Sequence, residues 1–365
     1  MCNHIHYYAV ILAGGIGSRF WPISRVSRPK QFLDFASSGK SFLRHTYERM
    51  KMIVPEENII IVTLKKYREM VKEQIPEIDD RNILLEMYNR NTAPSITYAS
   101  YHILQRDPEA VMVCTPADHV INGADLFCDT LTRAVNYAYE HEALITIGVV
   151  PTRPDPNFGY IQAVGPQTPG KSLKVKTFTE KPNSELAQVF IDSGEFLWNT
   201  GIFVWRASVI RKEMEFHAPE ITKLWKGWEK VLGTKEEQAF VEKIYASDYP
   251  RISVDYAVME KTDKARVFPA AFEWADIGNW NSLYDYLSTH DISGNSSHIQ
   301  GKAILRDCSD NVIYSSTTGK LTAIRGLEEY MVIDTDDVLL ICPRDEERLK
   351  EFLSQLALPE YEEYR

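Results

Sequence analysis

The sequence predicts an α/β fold, a mostly parallel sheet flanked by helices, followed by a small all-β part. Short apolar runs at 10–12, 59–62, 83–86, 111–114 and 144–149 alternate with amphipathic segments. That is the pattern of strands joined by crossover helices lying on both faces of a parallel sheet. The first run ends abruptly in Ala13-Gly14-Gly15-Ile16-Gly17, which reads as a buried strand feeding a tight glycine loop. Around Ser288 the character shifts, and from 295 to 342 short strands are separated by polar turns.

The elements follow in order. Residues 41–54 read as a helix, with Phe42, Leu43, Thr46, Tyr47 and Met50 at amphipathic spacing and Pro55 just beyond. Helices are expected at 65–74, 93–106 and 126–141, each beside one of the apolar strands. Residues 157–161 open a more alternating, hairpin-like region. The stretch 207–245 reads as helical, with Trp225 and Trp228 as core or interface residues. Ser253 or Asp255 is placed to cap a helix. Strands at 303–305, 311–314, 321–324, 330–333 and 338–341 precede a closing charged helix at 344–356. The expected division is a large domain over 1–290 and a small one over 291–365.

The chain has 365 residues, 44% of them hydrophobic and 25% charged, which suits an ordinary globular protein with a large core. Its net charge of −10 argues against a nucleic-acid binder. The five cysteines, Cys2, Cys114, Cys128, Cys308 and Cys342, are scattered and never spaced as CxxC, so reduced thiols in a cytoplasm are expected. No apolar run approaches a membrane span, and the N-terminus lacks a signal segment, so no membrane association is expected. His4 and His6 read as surface residues.

The glycine loop carries the first chemistry. Without β-carbons, successive N–H groups can turn toward one anion, and Arg19, Arg25, Arg28 and Lys30 place positive charge nearby. A dinucleotide fingerprint fails because Phe20 stands where a small residue is needed. A P-loop ending at Gly39-Lys40-Ser41 fails because its first glycine would be Asp34. Past the strand at 111–114, Asp118 is a carboxylate at the mouth of the sheet, where a hard cation can join protein to nucleotide. Asp276 supplies a second carboxylate in a loop kept slim by Gly278. Asn199 both donates and accepts, which suits a hydroxylated sugar.

What remains is GGxGxR followed by Trp21-Pro22, Arg25 and Pro29-Lys30-Gln31-Phe32, together with Thr115-Pro116-Ala117-Asp118-His119, Phe178-Thr179-Glu180-Lys181-Pro182, Trp198-Asn199-Thr200-Gly201-Ile202-Phe203 and the loop at 274–280. This set resembles the sugar-1-phosphate nucleotidyltransferases, and specifically the mannose-1-phosphate guanylyltransferase family, over nearly the whole chain. Thr115, Phe158 and Thr179 depart from the family's usual leucine, tyrosine and valine. The resemblance implies a Rossmann-like, nucleotide-diphospho-sugar transferase type of sheet with a short left-handed β-helix after it. It also implies the monofunctional form, without a cupin-like isomerase domain.

As to the site, the resemblance implies nucleotide binding by Ala13, Gly14, Gly15 and Gly17, with guanine near Asn91 and Thr92. It puts the sugar on Gly159, Glu180 and Asn199, the sugar phosphate on Lys181, and Mg²⁺ on Asp118 paired with Asp276. The expected reaction is attack by mannose 1-phosphate on the α-phosphorus of GTP, giving GDP-mannose and diphosphate. Arg19, Lys30 and Lys181 then act by positioning and charge. A homodimer is expected. The competing readings are another sugar 1-phosphate or nucleotide, and a non-catalytic subunit that senses a nucleotide sugar.

Overall fold

The computed structural model describes residues 6–35, 38–286, 291 and 293–365. Cys2, His4 and the shift of character at Ser288 fall outside them. In chain order the strands are β1 (Tyr7–Ala13), β2 (Ile59–Leu64), β3 (Ile83–Glu86), β4 (Val111–Pro116), β5 (Val120–Asn122), β6 (Leu144–Val149), β7 (Tyr160–Ala163), β8 (Leu173–Thr179), β9 (Phe196–Arg206), β10 (Ala265–Pro269) and β11 (Glu273–Ala275). Then come β12 (Ser296–Ile299), β13 (Lys302–Arg306), β14 (Val312–Ser315), β15 (Leu321–Arg325), β16 (Tyr330–Asp334) and β17 (Leu339–Pro343). The helices are α1 (Phe42–Met50), α2 (Arg68–Gln74), α3 (Thr92–Arg106), α4 (Ala124–Glu140), α5 (Ser184–Ser193), α6 (Ala207–His217), α7 (Pro219–Thr222), α8 (Glu237–Tyr245), α9 (Trp280–Tyr286) and α10 (Glu346–Ser354).

A nine-stranded sheet runs β3-β2-β1-β4-β9-β6-β10-β8-β7. Strand β1 is parallel to β2 and β4, as are β2 to β3 and β6 to β10. Strand β9 is antiparallel to both β4 and β6, and β8 to both β10 and β7. The sheet is therefore mixed, which corrects the expectation of a mostly parallel one. The cause is β9, which is buried on both faces along nearly its whole length and so takes a central place. Apolarity marks a central strand without marking its direction.

The helical stretch at 207–245 breaks at Pro219 and at Gly227 and Gly233, both with positive φ. Trp225 is fully buried against Tyr98 and Tyr101 and donates through Nε1 to the Tyr249 hydroxyl at 2.8 Å, while Trp228 stacks on Tyr101. Trp225 is a core residue and half-buried Trp228 packs against the core, in line with the expectation of core or interface roles. Asp255 opens a single π-helical turn, Asp255–Met259, and of the two expected caps it is Ser253 whose hydroxyl accepts from the Tyr256 N–H, at 3.4 Å.

Contacts divide the chain into one unit of residues 1–14 and 43–274 and a second of 15–42 and 275–365. The second unit thus claims 15–42 and 275–290, which the division at 290/291 assigned to the large domain. Aromatic packing explains this: Phe20 meets Trp280 edge-on at 5.3 Å, and Trp280 Nε1 donates to the Trp21 carbonyl at 3.1 Å. Later in this unit β12, β14 and β16 stack in parallel, as do β13 and β15, and β17 returns antiparallel to β16. Buried Asn311 links successive coils, donating to Asn295 Oδ1 at 2.8 Å and accepting from the Tyr330 N–H at 2.8 Å.

Candidate active site

In the first unit, the parallel strands β1, β2, β3 and β4 bring their carboxyl ends to one edge, the edge where ligands bind in open α/β sheets. Ala13 and Gly14 lead off β1 there. Asp118 follows β4 at the same edge, and the preceding Ala117 N–H donates to the Leu12 carbonyl at 3.1 Å. The turn before α3 is tied to the loop by Asn89, whose Nδ2 donates to the Gly14 carbonyl at 3.0 Å. Asn91 caps α3, its side chain accepting from the Thr92 N–H at 2.8 Å. Its φ of 71° lies in the left-handed region. The Thr92 hydroxyl accepts from the Val254 N–H at 2.9 Å.

A second cluster gathers Gly159, Glu180, Lys181 and Asn199. A β-carbon on Gly159 would collide with Glu180 Oε2 and lie 3.3 Å from Asn199 Cβ. Lys181 pairs with Glu180 at 3.0 Å and has a φ of 49°. Two residues expected to bind substrate, Asn91 and Lys181, thus hold strained backbone, a feature that gathers at functional sites. Burial pulls the Lys181 ammonium down, but the Glu180 carboxylate outweighs it and the net shift is upward. Asn199 Oδ1 accepts from the Thr146 hydroxyl at 2.8 Å and the Gly201 N–H at 3.1 Å, while Nδ2 donates to Asp255 Oδ1 at 2.9 Å. Most of its amide is committed to the protein, which makes it a brace for Asp255.

In the second unit the glycine loop is locked to the segment that follows it. Gly17 has a φ of 71°, and a β-carbon there would lie 2.5 Å from Lys30 Cβ, so only glycine fits. The Lys30 N–H and the Ser24 hydroxyl both donate to the Ile16 carbonyl, at 3.2 and 2.6 Å, and Gln31 Nε2 donates to the Gly15 carbonyl at 3.0 Å. Lys30 is 2% exposed, its Nζ lying 5.8 Å from the Phe20 ring, 5.4 Å from the Phe42 ring and 3.5 Å from Asp276 Oδ1. Arg19 is exposed, and a β-carbon on Gly278 would come within 3.2 Å of its Nη2. Here the structure joins Gly15, Gly17, Lys30 and Asp276, with Arg19 beside the Asp276 loop.

Asp118 and Asp276 offer carboxylate oxygens only, the donor chemistry of a hard cation such as Mg²⁺. Among the described residues no group of three or more His, Cys, Asp or Glu gathers as a metal cluster. Each carboxylate fits an ion that takes its remaining ligands from water and substrate phosphates.

Residues 8–291 match the family described as Nucleotidyl transferase. The chain belongs to the nucleotidyl transferase family. Relatives of this nucleotidyl transferase include mannose-1-phosphate guanylyltransferase 2 of Escherichia coli O157:H7, 34% identical over 98% of this chain and 74% of its own length. Xanthan biosynthesis protein XanB of Xanthomonas campestris pv. campestris is 37% identical over 95% of this chain and 72% of its own. A solved structure from Thermus thermophilus, described as a mannose-1-phosphate geranyltransferase, superposes with a TM-score of 0.85 at 29% identity, covering 97% of this chain and 100% of that one. A structure described as mannose-6-phosphate isomerase from Helicobacter pylori covers 74% of this chain and 100% of that one, at 27% identity and a TM-score of 0.60. The family resemblance carried by the sequence motifs is borne out by these relatives.

Two acids of this nucleotidyl transferase escaped the sequence reading. Asp255 looked like a cap, yet it is buried; burial, then the Glu180 charge, pushes its carboxyl up to about 7. Glu86, the last residue of β3, is buried near Gly14, whose β-carbon position is 3.6 Å from Glu86 Oε2. The Ser95 hydroxyl, at 2.8 Å, and the Tyr245 hydroxyl donate to its Oε1. An acid ending an apolar strand was the available signal.

Burial pushes the Glu86 carboxyl from 4.5 up to about 7, against those two hydrogen bonds, which favour the ionised form. An acid raised in this way gives its full stability below the unfolded value and loses it as pH rises through that window. Glu86→Gln is therefore expected to shrink the loss of unfolding free energy between pH 4.5 and 7 by up to roughly 3 kcal/mol. Urea unfolding at the two pH values reads this, and an unchanged loss in the variant would refute it.

Proposed function

We propose that this protein transfers the guanylyl group of GTP to mannose 1-phosphate, forming GDP-mannose and releasing diphosphate. The observation that carries the reaction class is the buried Lys30 ammonium, packed against Gly17 and facing Asp276 at 3.5 Å. The choice of guanine and mannose rests on the names of relatives at 34 to 36% identity.

The phosphate oxygen of mannose 1-phosphate forms a bond to the α-phosphorus of GTP as the bond from that phosphorus to the bridging oxygen of the diphosphate breaks in line. Two anions must meet, so catalysis is positioning and charge stabilisation, with no acid–base pair required. In this reading Arg19 holds the β- and γ-phosphates, and Lys30 neutralises charge growing on the transferring group. Ala13, Gly14, Gly15 and Gly17 line the nucleotide, and Asn91 and Thr92 lie by the base. Lys181 holds the acceptor phosphate. Glu180 takes the sugar hydroxyls together with Asn199, which also braces Asp255, and Gly159 leaves them room. Mg²⁺ on Asp118 and Asp276, when bound, supplies further neutralisation of phosphate charge.

The C-terminal coils are inferred to wind as a short left-handed β-helix, supported by their parallel stacking; an experimental structure with the opposite hand would remove this. We also infer a cytoplasmic homodimer. Ile304, Leu321, Leu339 and Ile341 are each about half exposed on the coils, which supports self-association. Among the described residues no helix is long and apolar enough to cross a membrane. Sedimentation as a monomer at assay concentration would remove the dimer.

The test of function is diphosphate release with Mg²⁺ across a matrix of nucleoside triphosphates and hexose 1-phosphates. Release confined to GTP with mannose 1-phosphate supports the proposal. Activity with another pair keeps the reaction class and overturns the base or sugar. Silence across the matrix, with GDP-mannose still bound, points to a sensing subunit.

A further inference from the structure

Trp21 and Arg25 belong to the run between the glycine loop and Lys30, and no step above uses them. Within the second unit both are engaged by C-terminal residues. Trp21 Nε1 donates to the Tyr364 carbonyl at 2.6 Å, and the Trp21 carbonyl accepts from Trp280 Nε1. Arg25 donates through Nε to the Pro22 carbonyl at 2.8 Å, which fixes the plane of its guanidinium. Its two terminal nitrogens then donate to the two oxygens of Asp337, each at 2.6 Å. This fork is the strongest geometry open to an arginine and a carboxylate. The Arg25 side chain is only 13% exposed while that of Asp337 is 48% exposed, so it is the fixed plane of the guanidinium, not burial of the pair, that gives the fork its hold. Asp337 lies on the turn between β16 and β17, where it also accepts from the Thr335 hydroxyl at 3.1 Å. Hydrogen bonds from Arg25 first of all hold its carboxyl below the usual range.

Arg25 also sets the course of the backbone toward Lys30. The Arg25 N–H donates to the Arg28 carbonyl at 3.1 Å, and the Arg28 N–H to the Arg25 carbonyl at 3.0 Å. That closed loop delivers the chain through Pro29 to Lys30, whose N–H is bonded to Ile16. Hydrogen bonds from the β16–β17 turn therefore fix the 25–28 loop, and the covalent chain through Pro29 carries that constraint to Lys30.

We propose that Arg25 and Asp337 are positioning residues for the transfer step: their bidentate pair clamps the 25–28 loop to the C-terminal coils and so fixes Lys30 and the glycine loop. The C-terminal coils contribute to turnover in this way without touching substrate. The proposal rests on the role given to Lys30 above.

The experiment uses the full chain with Asp337→Asn, Arg25→Gln, Arg25→Lys, the double variant Arg25→Gln/Asp337→Asn, and the reversed pair Arg25→Asp/Asp337→Arg. Hydrogen exchange of peptides covering 16–32 is read beside steady-state kinetics. Either neutralising variant is expected to speed exchange over 16–32 and to lower kcat about 10- to 100-fold, since displacing a catalytic group by about 1 Å costs on that order. KM for GTP should rise by less than kcat falls, because Ala13 and Gly14, which also line the nucleotide, lie outside the loosened segment. The double variant should be no worse than the worse single, the mark of one shared interaction. Arg25→Lys, which keeps the charge and loses the fork, should fall between, and the reversed pair should recover part of kcat. Unchanged exchange in Asp337→Asn overturns the clamp, as does faster exchange with undiminished kcat. If the unmodified protein transfers no nucleotide to any sugar phosphate, the functional reading fails on its own, and exchange still decides the clamp.

Discussion

Lys30→Met is expected to lower kcat about 10²- to 10³-fold, the usual cost of removing one preorganised charge from a reacting phosphoryl or acyl group. Methionine replaces the lysine stem out to Cε and fills the gap between the Phe20 and Phe42 rings, so the site keeps its shape and loses only the ammonium. The loss belongs in kcat, because charge on the transferring group grows as the bond breaks and an interaction made mainly then leaves KM nearly unmoved. Asp276 loses its ammonium neighbour in the same change, and its 29% side-chain exposure lets water solvate it. The melting temperature should accordingly stay within about 3 °C. Steady-state kinetics and a thermal melt check both, and turnover within twofold of the unmodified protein would strip Lys30 of its role.

Gly159→Ala is expected to cut kcat/KM for mannose 1-phosphate by about 10²-fold, with KM for GTP unchanged. The Gly159 backbone has no positive φ, so alanine is tolerated by the chain itself. The obstacle is space: the new methyl would collide with the Glu180 carboxylate and press on Asn199 at 3.3 Å. Glu180 must shift its carboxylate, taking with it the exposed Lys181 paired to its Oε1 at 3.0 Å, while Asn199 is fixed by Thr146, Gly201 and Asp255. The sugar end is therefore reshaped while the nucleotide residues are untouched. Saturation curves for each substrate separate the two ends, and equal losses for GTP and sugar phosphate would refute the assignment of this cluster to the sugar.

Much of the site could be read from single segments because the chemistry there is local. Gly17 and Lys30 are 13 positions apart, joined by a run that turns back on itself through bonds from Ser24, Lys30 and Gln31. Glu180 and Lys181 are neighbours in sequence. Asp255 was hidden because its importance comes from Asn199, 56 positions earlier, and serine or aspartate before a helical turn has a sufficient local explanation as a cap. Asn199 was visible as a side chain that both donates and accepts, but nothing local announced that Thr146 and Asp255 would take up most of its amide.

By itself the sequence determined the α/β class, the strand-to-glycine-loop unit, the basic and acidic residues of the site, and the motifs that mark the family. Each of these is written in periodicity, in the absence of a side chain, or in a fixed charge at short spacing. Only the tertiary structure decided that β9 enters antiparallel between β4 and β6, that 15–42 joins the C-terminal residues in one unit, and that Arg25 grips Asp337 across 312 positions. The physical reason is common to all three. Burial selects which segments go inside, whereas direction and distant pairing follow from the packing of the whole chain, and no window of sequence contains that packing.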